Sequence, residues 1–281
     1  MKPGRCVLSC LAALLCTAPA ARLAAQQLTY TPVSQQVLEE RLKRAAGNNK
    51  QRGAALRKLF EEAGCTEIAA QAPKGLSLPN VLCTLPGNEK STIVVGGHYD
   101  KVPKGEGIID NWSGAALLPS LFESLRQTRR RLTFVFAGFS GEEEGLRGSK
   151  AFVNLLNADD KVNLKAMVNI DSLGLGPAKI DVQQADQKLV EAVARVAHAT
   201  GLPVGVVNLK GLGLSDAESF RQINVPTLEF HSLTRGTLRF VNSSRDKARM
   251  LRLSDYADSY RLIGAFLAFV DVNWGVSEPR P

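Results

Sequence analysis

The spacing of apolar positions changes along the chain, and the changes separate helices from strands. From Ser34 to about Cys65 they recur at helical intervals, interrupted by Gly47, Asn48 and Asn49, which predicts two consecutive helices. A hairpin follows, turning near Lys74 and Gly75 and ending in Asn80-Val81-Leu82-Cys83-Thr84-Leu85. The pattern then alternates: strand Thr92 to Gly96, helix Ser113 to Arg126, strand Leu132 to Phe136, helix Ser149 to Leu156, strand Ala166 to Ile170. Downstream come a helix near Gln187 to Ala199, the run Val204-Gly205-Val206-Val207, a short helix near Ser215 to Gln222, strand Thr227 to Phe230 and a closing helix from about Ser254 to Phe269. Such alternation predicts an α/β fold with a largely parallel, mixed central sheet and helices on both faces. Ile93-Val94-Val95 and Leu132-Thr133-Phe134-Val135-Phe136 are nearly all apolar, as strands covered on both sides require.

The amino-terminal segment does not belong to this pattern. Lys2 and Arg5 precede an apolar run from about Cys6 to Ala18, followed by small residues, which reads as a secretory signal peptide spanning residues 1–25, with cleavage after Ala20 or Ala25. The run is too short to span a bilayer, and the mature chain carries no longer one. The expected product is an exported protein, periplasmic or extracellular, with one catalytic domain over residues 26–281. The formal charge is +8, and subtracting Lys2, Arg5 and Arg22 leaves +5, a weak signal. Arg129, Arg130 and Arg131 lie between a helix and a strand pattern and read as a solvated turn, so no nucleic-acid partner is expected. Cys65 and Cys83 alone remain after export, and an oxidising compartment makes them a disulfide candidate across the hairpin.

In sheets of this kind ligands gather outside the carboxyl ends of the parallel strands. Four predicted strands end in groups that bind metals or move protons: Gly97-His98-Tyr99-Asp100, Gly141-Glu142-Glu143-Glu144, Asp171 and His231. A lone Asp at a strand end is usually a cap or turn residue. Several together repel one another, and a cation is what makes such a cluster tolerable.

These residues, with Asp110-Asn111-Trp112-Ser113-Gly114, Ser140 through Ser149 and Asn169-Ile170-Asp171, resemble the zinc aminopeptidase family that also contains the glutaminyl cyclases. The resemblance runs from about Asn80 to Phe269 and implies a zinc-exopeptidase-like fold acting on a peptide or aminoacyl substrate. It implies that His98, Asp110 and Asp171 hold one zinc, and that Asp110 bridges to a second bound by Glu143. It further implies a cis bond after Asp110, Glu142 as general base, and Asp100 as acceptor for the other imidazole N–H, fixing the tautomer. Glu144 has no assigned role beyond a surface or capping carboxylate.

One position departs from the family pattern. Asn242, in Val241-Asn242-Ser243-Ser244-Arg245-Asp246, stands where relatives carry a late histidine ligand, and an amide oxygen is a poorer zinc ligand than imidazole. One zinc is expected, and the second stays open. His231 either replaces that ligand or lines the pocket, while His198 reads as an ordinary helical histidine. The expected function is that of a zinc-dependent aminopeptidase; the alternatives are a glutaminyl cyclase, which depends on the missing histidine, and a non-catalytic binding relative.

Overall fold

The computed structural model describes residues 30–275 apart from 46, 73, 74, 210 and 212, so the signal-peptide reading and Lys74 of the predicted turn lie outside the described residues. Helices α1 (Gln35–Leu42) and α2 (Asn49–Glu62) lead into strands β1 (Ile68–Gln71), β2 (Asn80–Leu85) and β3 (Thr92–His98). Next come α3 (Ser113–Leu125), β4 (Thr133–Phe139), α4 (Arg147–Leu155), α5 (Ala158–Asn163) and β5 (Leu164–Ile170). The chain closes with β6 (Lys179–Asp181), α6 (Gln187–Thr200), β7 (Gly205–Val207), α7 (Ala217–Arg221), β8 (Thr227–His231) and α8 (Leu253–Asn273). Local chemistry sets several of the ends. Asn48 and Gln51 form a reciprocal capping box at the start of α2, and α6 starts on the side chain of Asp186 and stops at Gly201, whose φ of +68° suits glycine.

The strands form one mixed sheet in the order β1-β2-β4-β3-β5-β8-β6-β7. Its centre is parallel, β4 with β3, β3 with β5 and β5 with β8, while β1 with β2, β2 with β4 and β6 with β8 pair antiparallel, and β7 runs parallel to β6 at the far edge. Alternation along β3 sends Ile93 and Val95 into one core and Val94 into the other, each at most 1% exposed. The first core holds Leu56, Phe60, Leu121, Phe122, Phe136 and the apolar side of α8. The second holds Phe139, Phe152 and Phe220, whose rings pack 5.7–6.1 Å apart. Among the described residues no helix is long and apolar enough to cross a membrane.

Three details differ from the sequence pattern. β4 continues to Phe139 because Ala137 and Gly138 still pair with Leu82 and Val81. α5 and β6 were not predicted: α5 buries no residue and so shows no apolar period, and β6 has three residues. The basic run is not wholly solvated either. Arg130 is 2% exposed with Nη1 3.6 Å from Asp271, while Arg131 pairs with Glu89 at 3.0 Å. A disulfide joins Cys65 and Cys83, with Cα atoms 6.3 Å apart; Cys65 precedes β1 rather than standing on it.

Candidate metal centre

The parallel strands β4, β3, β5 and β8 lie side by side, so the residues that leave their carboxyl ends share one rim. His98 closes β3, Asp171 follows β5, and His231 closes β8. Glu142 and Glu143 lie in the loop after β4, which turns through Gly141 at φ +66°. Asp110 comes from the loop before α3, with its peptide bond to Asn111 cis.

His98 is buried and its Nε2 lies 3.1 Å from Asp110 Oδ1 and 3.7 Å from Asp171 Oδ2. Ligands arranged tetrahedrally around zinc at its usual bond lengths sit about 3.3 Å apart, so these separations fit a shared ion. The other ring nitrogen, Nδ1, is 3.1 Å from the backbone carbonyl of Asp100. A carbonyl only accepts, so Nδ1 carries the proton and Nε2 is turned to the carboxylates. The expected partner was the carboxylate of Asp100, which is 3.6 Å away because its oxygens accept the backbone N–H groups of Glu142 (3.1 Å) and Glu143 (3.2 Å). Asp100 therefore orients the imidazole through its backbone and the glutamate loop through its side chain.

The electrostatics are those of anions gathered with too little positive charge. Burial, then Asp216, Asp171 and Asp110, push Glu142 up to about 9 against the pull of His98. Burial and Asp110 push Glu143 to about 7, with Asn242 as a hydrogen-bond donor pulling down. Burial and the charges of Asp110 and Glu229 hold Asp171 well above the carboxylate range. His98 is raised too: burial alone would depress it, but Glu142, Asp100, Asp110 and Asp171 outweigh that. Oε1 of Glu143 is buried without a hydrogen-bond partner among the described residues. A divalent cation answers all of these at once, and the donor set of imidazole and carboxylates suits zinc. Among the described residues, His98, Glu142 and Asp171 form the group with ligand atoms all within 4.8 Å of one another. Glu142 thus offers a carboxylate oxygen to the same position as His98 and Asp171.

His231 is not in that group. It lines the adjoining cavity of about 360 Å³, together with Glu143 and Asn242. Asn242 adopts φ +54°, a left-handed conformation that asparagine tolerates. Glu144 is exposed and pairs with Arg147 at 2.7 Å, as a surface carboxylate does. Exposed His198 sits in the last turn of α6.

Four residues carry the site without having been assigned a role from sequence. Asp246 accepts the backbone N–H groups of Ile108 (3.0 Å), Ile109 (2.8 Å) and Asp110 (3.0 Å), fixing the loop that presents Asp110. Asn111 ties that loop to β5, donating to Ile170 O at 2.9 Å and accepting from Gly114 N at 2.9 Å and Ser172 N at 3.1 Å. The approach is tight enough that a Cβ on Gly114 would lie 2.3 Å from Ile170 O. Arg52 is wholly buried behind the site, donating to the carbonyls of Tyr99 and, at 2.9 Å, Gly107, with its guanidinium 5.1 Å from the Trp112 ring. Asp216 is 1% exposed and raised to about 7, chiefly by burial. Asn111 and Asp246 lie inside the recognised runs, so their positions were visible; Arg52 and Asp216 had no sequence signal.

Strand order, rim and donor set together define a protein with the fold of the zinc aminopeptidases. The chain belongs to peptidase family M28, whose sequence profile matches residues 80–266. It is 32% identical over 166 residues to leupeptin-inactivating enzyme 1 of Streptomyces exfoliatus, a match covering 57% of this chain and 37% of that protein. It is 36% identical over 88 residues to an aminopeptidase of Pseudomonas aeruginosa, covering 31% of this chain and 16% of that one. These matches span well under half of either relative. Among solved structures, the LapA aminopeptidase of Legionella pneumophila superposes with TM-score 0.73 at 20% identity, covering 84% of this chain and 70% of that one. A glutaminyl cyclase from an Acidobacteriales bacterium gives 0.72 at 18% identity, covering 90% and 100%. At such identities the likeness is one of fold.

Proposed function

We propose that this chain is an exported, zinc-dependent aminopeptidase that hydrolyses the bond after a free amino-terminal residue. The carrying observation is the convergence of Asp110 and Asp171 on His98 Nε2, at 3.1 and 3.7 Å, beside the half-buried carboxyl of Glu142. His98, Asp110 and Asp171 would hold the ion, with Glu143 and Asp110 available to a second. Zinc bound there supplies Lewis acidity, polarising the scissile carbonyl and acidifying a water. Glu142 takes the proton released as water attacks and returns it to the departing amine. Asp100 keeps the imidazole in its Nδ1–H form and, through the N–H groups of Glu142 and Glu143, holds that loop in place. Export rests on the basic, apolar and small-residue order of positions 1–25, and the expected location is periplasmic or extracellular.

A cyclase reading has one observation in its favour, the superposition on the whole length of a glutaminyl cyclase. Against it stands Asn242, in the position of the late histidine that those enzymes use. A glutaminyl arylamide separates the two: hydrolysis releases the aryl amine, whereas cyclisation releases ammonia and leaves the arylamide bond intact. The zinc-loaded protein is expected to release the amine, and Glu142→Gln to lower kcat by about 10²-fold or more with zinc still bound by mass spectrometry. Ammonia release without amine would replace the peptidase reading with the cyclase one. A loaded protein that turns over neither way would leave a binding protein.

A further inference from the structure

The cavity beside the ion position contains a polar group that the proposed chemistry does not use. Leu228 and Phe230 of β8 bury into the core shared with α8, so the alternate residues Glu229 and His231 turn to the opposite face and line the cavity. The imidazole of His231 is 1% exposed. Its Nδ1 accepts the backbone N–H of Leu233 at 3.0 Å, which leaves the proton on Nε2. Nε2 is buried and has no hydrogen-bond partner among the described residues. Burial also lowers its pKa, so the ring stays neutral near pH 7. A buried donor without an acceptor is costly unless something that enters the cavity satisfies it.

Glu229 offers the complementary half. Among the described residues its hydrogen bonds, from Ser215 Oγ and from Asn169 Nδ2 at 3.4 Å, both fall on Oε2, leaving Oε1 without a donor there. Two residues apart on an extended strand, the Glu229 and His231 side chains leave the backbone about 6.6 Å from each other. A carboxamide, whose oxygen accepts and whose nitrogen donates, bridges a donor and an acceptor at that spacing. The cavity walls Leu214, Leu233, Leu238 and Val241 then cover the methylenes that carry it.

We infer that Glu229 and His231 make this a pocket for an amide-bearing amino-terminal side chain, with His231 Nε2–H donating to its oxygen and Glu229 Oε1 accepting from its nitrogen. This rests on the aminopeptidase reading for the position of the substrate, but not on its chemistry. An aliphatic side chain of the same shape strands both groups, and pockets built to hydrogen-bond discriminate strongly against analogues that cannot.

Asparagine and leucine have the same branching, which makes them the matched test pair, and glutamine and methionine form a longer one. With the zinc-loaded protein, kcat/KM for the asparaginyl arylamide is expected to exceed that for the leucyl one by about tenfold or more. In His231→Phe the ratio should reverse, and Glu229→Gln should reduce it without reversing it. A leucyl or lysyl substrate preferred by the wild-type protein overturns the inference while leaving the peptidase reading intact. Two further measurements need no turnover. Nitrogen-15 spectra of the wild-type imidazoles should show His231 as the Nε2–H tautomer and shift on addition of free L-asparagine but not L-leucine. Calorimetric titration of Glu142→Gln should show asparagine binding more tightly than leucine; equal affinities overturn the inference even if the protein proves to have no peptidase activity.

Discussion

Asp246 shows how much a single side chain contributes at this site. It stands 136 to 138 residues from the three backbone N–H groups it binds, and those groups carry Asp110 to the ion position. Asp246→Asn keeps the shape but replaces one accepting oxygen with a donor that faces N–H groups. Zinc affinity, measured by competition with a chelating dye, is expected to fall by about 10- to 100-fold, as for outer partners of metal ligands generally. Arg52 acts from behind the same loops. Burial lowers its pKa to about 10, opposed by Asp100, Asp246, Asp110 and Glu143. Arg52→Met leaves those carboxylates without their buried cation and the Tyr99 and Gly107 carbonyls without donors, so urea unfolding should show a loss of about 3 kcal/mol or more. An unchanged midpoint would falsify that role. Roles of this kind were not legible in the sequence. An aspartate that accepts from backbone at a distance and one at the surface have the same local context.

At the scale of elements, the strands and helices that follow strict periodicity were legible, and those without a buried stripe were not. β3, β5, α3 and α6 fall within a few residues of their predicted spans because each buries a repeating set of apolar side chains. α5 lies on the surface with none. The edge formed by β1 and β2 has a covalent tie as well as its ladder: Cys65–Cys83 closes a loop of 18 residues. The double substitution Cys65→Ala, Cys83→Ala releases that loop in the unfolded chain and should cost about 3 kcal/mol in denaturant unfolding. Cys83 pairs with Phe136, short of the carboxyl end of β4 from which the glutamate loop leaves, so zinc content per folded molecule should not change; a loss of zinc would mean that the edge supports the ion site directly.

The whole molecule concentrates buried acid at one end of its sheet. Burial, with Asp216, Asp171 and Asp110, raises Glu142 to about 9, and burial with Asp110 raises Glu143 to about 7; Asp171 and His98 are also held above their ordinary values. A group whose folded pKa is raised contributes stability that is complete below its unfolded pKa and is lost as pH climbs through the folded one. Asp100 is shifted downward and acts in the other sense only at low pH: burial would raise it, but the neighbouring His98 imidazole and the N–H groups of Glu142 and Glu143 win. The metal-free protein should therefore melt at progressively lower temperature from about pH 5 to pH 9. Zinc should raise Tm most at the alkaline end, where protons no longer compete for its ligands. Calorimetry with chelator and with zinc across that range checks both statements, and a metal-free Tm that rises with pH sinks them.

Apolar periodicity determined the α/β class, the central strands and the end of the sheet at which His98, Glu142, Glu143 and Asp171 leave it, because period and strand ends are properties of neighbouring residues; Asp110 was legible only through the family resemblance. Tertiary structure decided which atoms meet. It set the 3.1 Å from His98 to Asp110, gave His98 the carbonyl of Asp100 rather than its carboxylate, and placed His231 in the cavity wall outside the group of His98, Glu142 and Asp171. It also buried Arg130 against Asp271. Those outcomes depend on strand order, on register and on bonds between residues more than a hundred positions apart, and no local pattern of residues encodes them.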